Sequence, residues 1–184
     1  MDLSLKSFQI FGILDDFAMA TCCPGDSATR RKHYVHDVQR AFYSGYFRKH
    51  GLKAQCVFLP NGMFGSVYIA SMAHNDVGTL NMSGIDEQLQ DLLQGQLIGN
   101  LYPALYVDGI FNVRNTVVPR FKGAQLTAHM NLFNKRMSGV RVSIEHDFGA
   151  HASLFSIFKM IRGGYSNQIG WMFVFWNFFW FLGD

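Results

Sequence analysis

Four acidic residues, Asp15, Asp76, Asp108 and Glu145, stand at the edges of the chain's clearest apolar segments. The run 8–14 stops at Asp15-Asp16, and the run 104–107 stops at Asp108-Gly109. Glu145 falls one residue off an apolar helical stripe, and Asp76 falls between two elements. Carboxylates gathered in one place repel one another unless cations sit between them. Mg²⁺ and Mn²⁺ are hard ions that take such oxygens, together with water and substrate phosphate. Two such ions about 3.5–4 Å apart stabilise the attacking and leaving oxygens of an in-line phosphoryl displacement. Each acid also has a plainer reading. Asp15 or Asp16 would cap a turn, and Asp108-Gly109 would be an ordinary turn. Glu145 would pair with Arg141 four residues earlier, worth a few tenths of a kcal/mol. Only their joint placement separates the two readings.

That placement depends on the elements. Short apolar runs bounded by turn residues suit buried strands, so 8–14 and 104–107 are predicted as strands. Side by side and parallel, they would bring Asp15 and Asp108 to one sheet edge, where open α/β sheets bind ligands. Residues 52–59 and 63–70 are β-like and flank Pro60-Asn61-Gly62, a strong hairpin signal. Ile85, Leu89, Leu92, Leu93 and Leu97 form one helical stripe, weakened or ended by Gly95. Leu126, Met130, Phe133, Met137, Val140, Ile144 and Phe148 step by three or four, predicting a long helix with a continuous buried face. A shoulder residue such as Glu145 would reach across to the strand ends. The order is strand, basic insertion, hairpin, helix, strand, long helix: an α/β layer architecture with a mixed sheet flanked by helices.

The charges are unevenly spread. The chain has 184 residues and a net charge of +3, with 16% charged and 49% hydrophobic residues. That balance excludes disorder, collagen-like repeats and coiled coils. Arg30, Arg31, Lys32, Arg40, Arg48, Lys49 and Lys53 crowd one segment with Asp37 as its single acid, interleaved with Tyr34, Phe42, Tyr43, Tyr46 and Phe47. Residues 109–144 hold no acid but carry Arg114, Arg120, Lys122, Lys135, Arg136 and Arg141. Two acid-free or nearly acid-free basic blocks point to a polyanion such as DNA, with aromatic rings available to stack on bases. Solvated faces are the plainer alternative.

The ordered set resembles the catalytic domain of PIF/Harbinger-class DDE transposases, the DDE superfamily endonucleases. The segments that carry it are ILDDFAMATCCPG, QRAFYSGYFRKHGLKAQCVFLPNG, HNDVGTL, ALYVDGIF and LFNKRMSGVRVSIEHDFG, from about residue 8 to about residue 162. The resemblance implies an RNase H-like fold over residues 1–162 and a divalent-metal nuclease site. It places the first aspartate of an Ile-Asp-Gly-Thr motif on Asp15, with Asp16 and Phe17 in place of the glycine and threonine. A His-Asp motif falls on Asn75-Asp76, Gly-Asp-x-x-Tyr on residues 107–111 with Asp108 kept, and Val-Glu-x-x-Phe-Gly on residues 144–149 with Glu145 kept. It implies Asp15, Asp108 and Glu145 as catalytic metal ligands, Asp76 as a further ligand or positioning group, and Mg²⁺ or Mn²⁺ as cofactor. The upstream helix-turn-helix of many family members is missing from this sequence, so a separate DNA-binding partner protein is one expectation. The altered motif neighbours also fit a decayed, domesticated copy that binds DNA or protein without cutting.

Other constellations are weaker. Cys22, Cys23, His33 and His36 fit zinc poorly, because adjacent cysteines lack the usual spacing. His146 and His151 lie five apart, off a common helical face. No Walker loop, G-x-G-x-x-G or H-E-x-x-H motif occurs, so no small-molecule cofactor is expected. Three cysteines do not make a disulfide framework. Asp2, Asp15 and Asp16 break up any leader-like N-terminus. Nuclear or cytoplasmic residence is expected rather than secretion. The aromatic tail at 163–184, with its apolar run 169–182, is shorter than the roughly 20 residues a spanning helix needs.

Overall fold

The computed structural model describes residues 7–21, 23, 39–93 and 96–154, with no side-chain account of 143 or 147–154. The elements in chain order are β1 (Phe8–Thr21), β2 (Tyr43–Ser44), β3 (Lys49–Phe58), β4 (Phe64–Ser71), α1 (Asp76–Ser83), α2 (Ile85–Leu93), β5 (Tyr102–Val107), β6 (Val117–Pro119) and α3 (Ala128–Leu154). The strands form one six-stranded sheet in the order β2-β3-β1-β5-β6, with β4 also paired to β3. β1 and β6 each run parallel to β5, while β2 is antiparallel to β3. This mixed sheet flanked by helices is the RNase H-like arrangement. The tail at 163–184 lies outside the described residues, as do the Pro24-Gly25 loop, Cys22, His33 and His36. Among the described residues no helix is long and apolar enough to cross a membrane.

The chain divides into two units. The first comprises Met1–Asp16, Gln55–Tyr68 and Asp76–Phe148. Its core gathers Leu14, Val57, Leu80, Ile85, Leu89, Leu105, Val107, Phe111 and Val117. β5 supplies the centre: Ala104, Leu105 and Val107 have no exposed surface. A strand covered on both faces reads as a continuous apolar run rather than an alternation, which is why 104–107 is conspicuous in the sequence. Close approach of neighbouring strands requires a glycine in β1. A Cβ on Gly12 would stand 2.7 Å from the Phe58 carbonyl and 3.0 Å from the Leu105 side chain, beside a register shift between Ile10 and Gly12. Asp86, buried at the start of α2, accepts from the Thr116 N–H and hydroxyl and so ties α2 to the residue before β6.

The second unit comprises Phe17–Ala54, Ile69–Asn75 and Gly149–Asp184. Here Tyr43 pairs with His50 across β2 and β3, with ring centroids 5.1 Å apart. The Gly51 carbonyl accepts from Met72 N–H at 3.0 Å.

The structure alters several expectations from the sequence. β1 does not stop at Asp15-Asp16 but runs to Thr21, because the Asp16 carboxylate accepts from Gln55 Nε2 at 2.9 Å and its charge does not end the strand. The helix of the 85–97 stripe spans Ile85–Leu93, ahead of Gly95, and Leu97 beyond it is 45% exposed. A separate helix, α1, precedes it, and Gly84 joins the two with φ near +62°. The long helix exists, begun by Thr127, whose hydroxyl accepts from Met130 N–H. Its face is not continuously buried: Ile144 is buried, whereas Val140 is 48% exposed.

Candidate active site

Parallel pairing puts Asp15, midway along β1, level with Asp108, just past the end of β5. Ile13 of β1 sits opposite Tyr106 of β5, and carrying that register two residues further sets Asp15 beside Asp108. Alternation along β1 then sends Asp15 and Asp16 to opposite faces. Asp16 turns to Gln55, which also accepts from the Ser83 hydroxyl at 3.2 Å. Asp15 therefore faces the Arg141 guanidinium, while Asp16 faces Gln55.

The third acid comes from α3, which is fixed against the sheet upstream. Asn134 makes two hydrogen bonds to the Phe121 backbone, accepting from its N–H at 2.9 Å and donating to its carbonyl at 3.0 Å. Phe133 packs edge-on against Tyr106 of β5 and against Phe121. Two to three turns further on, Arg141 enters the acid cluster. Each of its three guanidinium nitrogens takes a different carboxylate. Nε lies 3.5 Å from Asp15 Oδ2, Nη1 2.8 Å from Asp108 Oδ1, and Nη2 3.2 Å from Glu145 Oε1.

Asp15 is the most buried of the three acids, with 15% of its side chain exposed against 46% for Asp108 and 51% for Glu145. Burial pushes its pKa up to about 6. Arg141 and the Asp16 N–H oppose the rise, and the Glu145 and Asp108 charges add to it. Arg141 has its pKa raised: burial works against its charge, but Asp15 and Asp108 outweigh it. Burial also raises the Tyr106 hydroxyl, and it raises the Cys56 thiol, with the Asp16 charge adding to the rise there. Cys56 is therefore no nucleophile at neutral pH.

The Asp15 shift gives a test on chelator-treated protein. Its folded pKa lies above the unfolded value of 3.8, so the folded state holds this proton more tightly. Stability from this group is fully present below pH about 4 and is lost as pH rises through about 6. The two-unit difference corresponds to about 3 kcal/mol. Asp15→Asn removes the titration, and urea unfolding from pH 4 to 7 is expected to show a flatter profile than the parent. Equal slopes for both proteins would refute the buried-carboxylate account.

The other candidate residues fall as follows. Asp76 is half-buried in the first turn of α1 and is not among the Arg141 ion pairs. Lys135 and Arg136 are exposed on α3. Arg40, Arg48 and Lys49 are exposed in the second unit. Lys53 is instead buried, its Nζ donating to the His74 carbonyl at 2.9 Å, so it is not part of a solvated basic face. Arg30, Arg31 and Lys32 lie outside the described residues. One cation of the second basic block has a particular place. Arg120 follows β6, whose Pro119 sits opposite Val107, so Arg120 lies alongside Asp108. Its stem packs over Gly109, where a Cβ would stand 2.5 Å from Nε. Its nearness to Asp108 is visible only in the register of a three-residue strand.

The donor chemistry is of the kind a hard divalent cation takes: carboxylate oxygens from three separate segments all reach one positive group, the Arg141 guanidinium. Among the described residues no three His, Cys, Asp or Glu side chains are drawn together as a metal cage. The model of the DDE superfamily endonucleases matches residues 28–174, 147 of the 184 in the chain. The chain belongs to the DDE superfamily endonucleases. The family is one of transposase-derived nucleases that act on DNA and generally use divalent metals. Its matched span contains Asp76, Asp108 and Glu145. Asp15 precedes that span and joins the site through the β1–β5 pairing and its ion pair with Arg141. Neither a comparison with curated proteins nor one with solved structures gave a match.

Proposed function

We propose that this DDE endonuclease is a metal-dependent DNA nuclease of the PIF/Harbinger type that hydrolyses phosphodiester bonds, with Asp15, Asp108 and Glu145 as its metal ligands. The observation that carries the reading is the meeting of these three carboxylates on one cation at the edge of two parallel strands. A bound Mg²⁺ or Mn²⁺ would supply charge to acidify the attacking water and to offset the negative charge growing on the leaving 3′-oxygen.

The chain's own residues set the stage. Asp15, least exposed, fixes the floor of the site from β1. Asp108 holds the strand edge, its Oδ1 accepting from the Gly109 N–H. Glu145, more exposed and on a helix, closes the third side. Asp76 serves as a further ligand or positioning group. Arg120, beside Asp108, and Lys135 and Arg136 on α3 would take DNA phosphates, as would Arg30, Arg31, Lys32, Arg40, Arg48 and Lys49. Such contacts make affinity fall steeply with salt. The protein would act in the nucleus, with sequence choice lent by a DNA-binding partner.

The test is nicking of supercoiled plasmid by the purified protein with Mn²⁺ or Mg²⁺, against a chelator control. Metal-dependent nicking is expected. The motif changes at Asp16, Phe17 and Asn75 favour a second reading, a domesticated copy that binds DNA without cutting it. Salt-sensitive plasmid binding with no nicking in either metal would establish that reading and remove the first.

A further inference from the structure

We propose that Arg141 is a resident counter-cation that keeps the divalent ion's seat and must leave it before the ion binds. This rests on the metal-nuclease reading and adds a control element to the same site. The guanidinium spends all three nitrogens on the cluster, one for each acid. The oxygens it contacts, Asp15 Oδ2, Asp108 Oδ1 and Glu145 Oε1, are those through which β1, β5 and α3 would reach an ion. Hard divalent cations sit about 2.0–2.6 Å from their oxygen ligands. The guanidinium, with one nitrogen 2.8–3.5 Å from each of these oxygens, occupies the space between the three acids, so the two cations compete for it.

Among the described residues the acids are not gathered into an ion cage; each instead holds a different nitrogen of the guanidinium. The exit is open: Arg141 has a long unbranched stem and a side chain 28% exposed. Rotation about its own side-chain bonds would carry the charged end outward while Glu145, one turn further along α3, stays in place. The apparent affinity for the ion is then reduced by the fraction of molecules in which Arg141 has vacated the acids.

Two measurements decide it, with Mn²⁺ alone and Mg²⁺ alone as probes. Calorimetry of Arg141→Gln is expected to show Mn²⁺ binding about tenfold or more tighter than the parent. In the unmodified protein, the NMR signal of the Arg141 Nε–H group is expected to move during Mg²⁺ titration, with the midpoint of the binding heat. That signal separates displacement from a mere change in net charge, and it carries the test if the variant does not fold. Binding to the parent with an unmoved Nε signal overturns the proposal and leaves the metal site standing. So does an Arg141→Gln affinity equal to or weaker than the parent's. No Mn²⁺ heat in either protein overturns the metal reading itself.

Discussion

Replacing Asp108 with Asn is expected to slow metal-dependent plasmid nicking about a thousandfold, equivalent to about 4 kcal/mol of barrier, while leaving the fold intact. The substitution keeps shape and keeps an oxygen able to accept from the Gly109 N–H. It removes one of the three negative charges that meet at Arg141. A metal contributes several kcal/mol of charge stabilisation to phosphoryl transfer, and a weakened ligand set forfeits much of it. Folding has little at stake. Asp108 is 46% exposed, and an ion pair that open to water is worth about 1 kcal/mol or less. The rate is read from plasmid gels and the fold from thermal melting. A variant that melts normally and nicks within tenfold of the parent would remove Asp108 from the site.

The second large effect is on stability. Leu105→Ala is expected to cost about 4 kcal/mol and to lower the melting temperature by about 10 °C. Leu105 is fully buried in the middle of β5, among Leu14, Val57, Leu80, Val107 and Val117. Its Cδ2 lies 3.0 Å from the point where Gly12 would carry a Cβ. Strands locked on both sides do not close over a missing isobutyl group, so a cavity remains. Below its melting transition the variant is expected to keep most of its nicking rate, because Asp108 stays at the end of the same strand. Loss of less than 1 kcal/mol in urea unfolding would show that the core relaxes freely around this position.

The two predictions also mark what the sequence makes legible. β5, almost wholly buried, and the first half of β1, buried at Gly12–Leu14, pair in parallel and announce themselves as apolar runs ending in an acid, which brings Asp15 beside Asp108. Glu145 is legible because helical spacing places it on the shoulder of a stripe. Other features give no such signal. α1, DVGTLNMS, has glycine and threonine inside it and no stripe to find. β6 is three residues long, and its role depends on lying next to β5. The pairing of Arg141 with Glu145 is visible at a spacing of four, but its reach to Asp15 and Asp108 needs β1, β5 and α3 packed together. Lys53 reads as one more surface charge until the strand around it proves to be covered.

The Asn134 clamp on Phe121 has a mechanical corollary. Glu145 lies eleven positions beyond Asn134 on one unbroken helix, about 16 Å along its axis. Pivoting the rod at that fastening by about 5° would sweep the far carboxylate through about 1.4 Å. Misplacements of that size cost reaction centres about a hundredfold in rate. Alignment at the acidic end of the lever is thus governed remotely, by a neutral amide gripping a stretch of main chain that touches none of the reacting groups.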